Sequence, residues 1–118
     1  MHKPSETLVI HAVFNVEHLL NTREWQPLRE GVNMSPIYDD GNGGARAAFL
    51  HYLPGAVVDA HQHEGYEHIL ILEGEQADEA REYQLGDLTI QPPGSRHRVV
   101  SINGCVALAI WEKPVRFV

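Results

Sequence analysis

Apolar residues fall in short runs along the chain, and the gaps between them are filled by Gly, Pro, Asn and Asp. Such punctuation predicts short strands joined by turns, and hence an all-β fold. Leu8 to Phe14 (LVIHAVF) is rich in β-branched and aromatic residues and reads as a first strand. Asn15 is placed to cap one helical turn over Val16 to Leu20. Trp25 to Leu28 and Val32 to Tyr38 read as short edge strands, where Pro27 and Pro36 are tolerated because no backbone donor is required. Asp39 to Gly44 (DDGNGG) is a turn.

From Ala45 the pattern strengthens. ARAAFLHYL, EHILILEG, YQLGDLTIQ, HRVVSI and CVALAIW follow one another at short spacing, which favours a closed barrel or sandwich over alternating strands and helices. Alternate residues of a strand share a face, so Glu67, Ile69 and Ile71 point one way and His68, Leu70 and Leu72 the other. Both faces are largely apolar. One would line a barrel, and the other would pack on a second layer or a partner chain, so a homodimer is expected. In ARAAFLHYL the register decides whether His51, with Phe49, or Tyr52, with Leu50, faces the interior and contacts a small-molecule substrate.

Composition narrows the classes. The chain has 118 residues, enough for one domain with a real core. Its single cysteine, Cys105, cannot close an intrachain disulfide and reads as a small buried hydrophobe. No apolar run approaches the roughly 20 residues that span a bilayer as a helix, and no apolar stretch follows a basic amino terminus, so a soluble cytoplasmic protein is expected. A formal charge of -7 repels phosphate backbones and argues against nucleic-acid binding.

Histidine carries the chemical signal. Of the 8 in the chain, His61 and His63 stand two apart, so in an extended segment both imidazoles project to one side. Glu67 opens the next strand. A strand, a Pro-Gly turn and a further strand would then bring His97 to face them. Three imidazoles and one carboxylate suit a divalent transition metal with positions left for water or substrate. His68 turns to the opposite face. Asp78, Glu79 and Glu82 read as a solvated hairpin; Trp111 and Arg98 would reach the site if their faces point inward, but packing and surface roles are expected for them.

These stretches resemble the two motifs of the cupin superfamily. Gly55, His61, His63, Glu67 and Gly74 fill G-x5-H-x-H-x3-E-x6-G, and Gly86, Pro92, Gly94 and His97 fill most of G-x5-P-x-G-x2-H-x3-N, with Ser101 in place of the final Asn. The resemblance implies a double-stranded β-helix, the small jelly-roll barrel, with one divalent ion per chain held by His61, His63, Glu67 and His97. Fe or Zn is expected first, then Mn or Ni. It implies one cupin domain over 1–118, with 1–44 as amino-terminal strands and turns and 45–118 as the motif-bearing barrel. Tyr66, between the ligand pair and Glu67, would cover the mouth of the metal site.

A finer likeness covers W-x-P at Trp25, Gly31-Val32, the run PPGSRH and Gly104-Cys105. These resemble the cupin-like domain of zinc-binding anti-sigma factors and related stand-alone cupins, some similar to diketone dioxygenases. The anti-sigma proteins carry an amino-terminal helical sigma-binding domain, and nothing before Trp25 is long enough or cysteine-bearing, so sigma-factor binding is not expected. Two functions follow from the resemblance: a non-haem dioxygenase acting on a small enolisable or diketone-like compound, and a zinc-binding sensory or ligand-binding module without turnover. The complete ligand set disfavours a metal-independent isomerase or epimerase.

Overall fold

A computed structural model describes residues 5–118. It contains one helix, α1 (Val16–Thr22), and ten strands: β1 (Gln26–Arg29), β2 (Val32–Asp39), β3 (Arg46–Tyr52), β4 (Ala56–His63), β5 (Glu67–Ala77), β6 (Glu82–Gln84), β7 (Leu88–Gln91), β8 (Arg96–Ser101), β9 (Cys105–Trp111) and β10 (Val115–Phe117). All pairings are antiparallel. The strands run in the order β1-β2-β3-β9-β5-β8-β4-β10, with β6 and β7 also paired to β5. The fold is the all-β cupin barrel. No helix among the described residues is long and apolar enough to cross a membrane.

β5 is the hinge of the architecture. Its first half pairs with β9 and β7 in one sheet, the ladder with β9 shifts register between Ile71 and Glu73, and its last residues pair with β6 and β8 in the other. A shift of this kind bends a strand, which lets one chain segment pass from sheet to sheet. Strand alternation then sorts the core. Ala48, Leu50, Tyr52, Ile69, Ile71, Cys105, Ala107 and Ala109 belong to the interior cluster with Val58 and Val99, while Phe49, Leu72 and Val106 face outward and pack under Val16 and Leu19 of α1. Tyr52 is the inward residue of its pair with His51.

The helix is two residues longer than expected. Asn15 caps it as predicted, its Oδ1 accepting from His18 N at 3.0 Å, and the Arg23 N–H closes the other end on Leu19 O at 3.2 Å. Leu8 to Phe14, by contrast, forms no strand. Ala12 turns to φ 55°, Ile10 and Val13 pack against the outer cluster, and the edge beside β2 is already occupied by β1. The strand preference of this segment reflects a fit to packed surfaces, and here the surface is supplied by α1 and the outer face without a ladder. Pro36 lies at the point where the β2–β3 register shifts, so its missing N–H falls where pairing is interrupted. β10 was not anticipated; it pairs Val115 with His63 and Phe117 with His61, covering the outer edge of β4.

Gly74 shows how tightly β5 and the turn before β9 approach. It holds φ +80°, and a Cβ there would fall on Gly104 O, whereas at Gly55, φ +85°, a Cβ would meet nothing within 4 Å. Both positions favour glycine, but only one lacks space. Gly55→Ala is expected to cost about 1–2 kcal/mol from backbone strain alone, and Gly74→Ala roughly 3 kcal/mol or more. Urea unfolding of the two variants checks this; equal losses would contradict it.

Candidate metal centre

The β4–β8 ladder places His61 directly opposite His97, and the two-residue period of β4 puts His63 on the same inward face as His61. The three rings stand with centroids 4.7, 4.8 and 5.1 Å apart and planes inclined at 65–81°. All three residues are buried. Their ligand atoms lie within 4.8 Å of one another, a set that could hold a metal ion.

Each ring is tied from behind through its Nδ1. His61 Nδ1 meets the Asp59 carbonyl at 2.8 Å. His63 Nδ1 lies 2.9 Å from Ser95 Oγ and 3.2 Å from the Ser95 carbonyl. Since that hydroxyl donates to Pro92 O at 2.7 Å, it can only accept from the ring. His97 Nδ1 meets Asp78 Oδ2 at 2.9 Å. Carbonyl and carboxylate oxygens cannot donate, so every Nδ1 carries the proton and every Nε2 is left with a lone pair. His63 Nε2 is fully buried and has no hydrogen-bond partner, a costly arrangement unless another group takes the lone pair. A metal ion would do so.

Glu67, first residue of β5, completes the group. Its Oε1 lies 3.3 Å from His63 Nε2, so an anionic oxygen and the ring's lone pair face the same space, and its Oε2 accepts from Trp111 Nε1 at 2.8 Å. Burial alone would raise the Glu67 carboxyl, but His63, the Trp111 indole and His97 together outweigh it and hold it below the ordinary value, so the group is an anion. Burial, opposed by the Asp59 carbonyl and reinforced by His97, holds His61 below the ordinary imidazole value and keeps it neutral. A neutral imidazole and an ionised carboxylate are the forms that ligate.

Two supporting residues escaped the sequence reading. Asp78, expected on a solvated hairpin, has a side chain only 5% exposed. It accepts from His97, from Tyr83 OH at 2.7 Å and from the Ala80 N–H at 2.9 Å. Burial works against its charge, yet these donors, His97 first, bring the carboxyl down to about 2. Trp111, expected to pack unless its face points inward, does point inward and orients Glu67. Neither role has a local sequence signal, because each partner lies 19 or 44 residues away.

The other expected contacts separate. Tyr52 lines the inner cavity with Gln76, Trp111, His61, Glu67 and His97, a space of about 50 Å³; burial pushes its phenol well above the ordinary value, so it stays a neutral hydroxyl. His51 faces the opposite way, its ring 5.9 Å from that of Trp25, because the β3 register gives the interior to Tyr52. Tyr66 is 47% exposed on the turn before β5 and does not line the cavity. Cys105 is buried in the interior cluster. A wider groove of about 830 Å³ runs along the 78–83 hairpin and β7, and both Asp78 and His97 line it.

The sequence profile of the ChrR cupin-like domain matches residues 4–113. The chain belongs to the ChrR cupin-like family. Anti-sigma-E factor ChrR of Cereibacter sphaeroides is 33% identical over 96 residues, which cover 79% of this chain and 44% of ChrR. The crystal structure of Rhodobacter sphaeroides SigE in complex with the anti-sigma ChrR matches with a TM-score of 0.71 at 30% identity over 81% of this chain and 53% of that one. This cupin-like chain therefore spans about half the length of the ChrR proteins it matches. An acetylacetone dioxygenase from Acinetobacter johnsonii superposes with a TM-score of 0.76 over all of this chain and 80% of that one, at 12% identity, a likeness of fold.

These matches correct one expectation. Sigma-factor binding was set aside for want of an amino-terminal helical domain, but the family is that of an anti-sigma factor, and a structure of ChrR with SigE is among its likenesses. A chain that spans half of ChrR cannot exclude a partner by what precedes Trp25.

Because Asp78 fixes the proton on His97 and orients the ring, Asp78→Ala is expected to weaken divalent-metal binding about 10- to 100-fold with the fold retained. Competition against a chromophoric chelator, with circular dichroism as the fold check, reads this; unchanged affinity would contradict it.

Proposed function

We propose that His61, His63 and His97, with Glu67 as fourth ligand, hold one divalent transition metal and that the site converts a small enolisable, diketone-like compound with dioxygen. The observation that carries the metal reading is the outward tethering of all three Nδ1 atoms, with a buried, partnerless Nε2 on His63. Three neutral nitrogens and one hard oxygen suit Fe, Zn, Mn or Ni. When bound, the ion supplies Lewis acidity toward an enol oxygen and, as Fe, electron transfer with dioxygen.

The protein's own groups set the rest. Glu67 offsets part of the ion's charge and is held in place by Trp111. Leu50, Val58, Ile69 and Val99 form apolar walls around the cavity, which lower the local dielectric and strengthen every charge interaction inside. Tyr52 and Gln76 supply neutral polar contacts on the same wall. The fold likeness to acetylacetone dioxygenase supports the reading by showing that a barrel of this shape houses such an enzyme.

A second reading is favoured by the family itself. As the relative of an anti-sigma factor, the chain would be a zinc-bearing module that binds a ligand without turnover, zinc having no redox chemistry.

His61→Ala and His97→Ala are each expected to lower metal occupancy sharply, read by elemental analysis; one metal per chain retained in both variants would overturn the ligand assignment. With Fe loaded anaerobically, an enolisable diketone is expected to perturb the metal spectrum and, on admission of air, to consume oxygen. Binding without uptake across a panel of diketones and enols would favour the sensory reading.

A further inference from the structure

Arg29, the last residue of β1, reaches the wall of the inner cavity that also contains Tyr52, His61 and Glu67. It simultaneously lines an outer groove of about 360 Å³ with Leu28, Trp111, Val115 and Phe117. Four residues, Leu28, Arg29, Trp111 and Val115, border both spaces, so Arg29 stands between the groove and the cavity that His61 and His97 line. Its guanidinium lies over the Phe117 ring, 4.6 Å from the centroid, which fixes the planar group by cation–π attraction. It forms no ion pair with any described carboxylate. The one acid on the cavity wall, Glu67, is already engaged by the Trp111 indole.

A half-buried arginine with no ion-pair partner among the described residues, at the edge of a cavity with apolar walls, calls for an anion. The site's own charge points the same way, as follows from the metal reading on which this inference rests. A divalent ion among three neutral imidazoles and the Glu67 carboxylate keeps one positive charge, the buried Asp78 carboxylate behind His97 offsets it, and Arg29 is left as the cation without a counter-charge. The chain as a whole, with its formal charge of -7, repels anions, so an anion's pairing is local to Arg29. Size is limited as well: about 50 Å³ corresponds to roughly four water positions.

We infer that Arg29 is the specificity residue of this site and that the ligand is a small 2- or 3-oxo carboxylic acid, its carboxylate paired with the Arg29 guanidinium and its oxo or enol oxygen directed to the histidine cluster. The planar fork of arginine matches a carboxylate with two parallel hydrogen bonds. A neutral diketone offers the cluster the same oxygen but gives Arg29 nothing to pair with.

The test compares pyruvate and acetoacetate with methyl pyruvate, in which one added methyl group removes the charge, on the zinc-loaded protein, where no turnover intervenes. Calorimetry is expected to show pyruvate binding at least tenfold more tightly than its ester. Arg29→Gln is expected to abolish that preference, and Arg29→Lys to retain part of it, with metal content and circular dichroism confirming that both variants fold and load. A metal-loaded protein that binds neither acid, or prefers acid over ester equally with and without Arg29, overturns this inference and leaves the metal reading standing. A chain that takes up no metal overturns both.

Discussion

The site rests on three hydrogen bonds that point away from it. Each imidazole spends its Nδ1 proton on an oxygen outside the cluster, the Asp59 carbonyl, Ser95 or Asp78, and each is thereby left with an unprotonated Nε2. Without those acceptors the rings would be free to exchange tautomers or to hydrogen-bond one another, and the cavity would be a polar pocket of no fixed chemistry. With them, three lone pairs are fixed in a buried space beside an ionised carboxylate. Such an arrangement costs free energy in a low-dielectric interior, and a cation sharing the space would offset that cost.

The barrel exists in the form that makes this possible. Antiparallel pairing of β4 with β8 sets His61 against His97, the two-residue period of β4 repeats the inward direction at His63, and the bend of β5 allows Glu67 to begin in one sheet while the strand ends in the other. The supporting residues come from still more distant parts of the chain. The hairpin after β5 brings Asp78 behind His97, and the end of β9 brings Trp111 beside Glu67. The ligand set is local to two strands and a turn, whereas its orientation depends on the whole fold.

That division explains what could be read from the residues alone. Glycine-framed spacing and strand alternation were enough to group His61, His63, Glu67 and His97 and to sort the residues of β5 onto two faces, because both signals are carried by neighbours in sequence. Asp78 and Trp111 were assigned to solvent and packing because their meaning depends on contacts across the barrel. The choice between His51 and Tyr52 depended on a register that no single strand specifies. Leu8 to Phe14 has the composition of a strand, yet composition does not reveal that the neighbouring edge is taken. β10 was missed for the complementary reason: three residues after a proline have little strand character until β4 offers them an edge.

Long-range proton–nitrogen correlation of the histidine side chains tests the central claim most directly. His61, His63 and His97 of the metal-free protein are expected to carry a proton at Nδ1, and zinc to shift their three Nε2 resonances together at one equivalent. Protonation at Nε2 in these rings, or Nε2 resonances that do not respond to the metal, would contradict it.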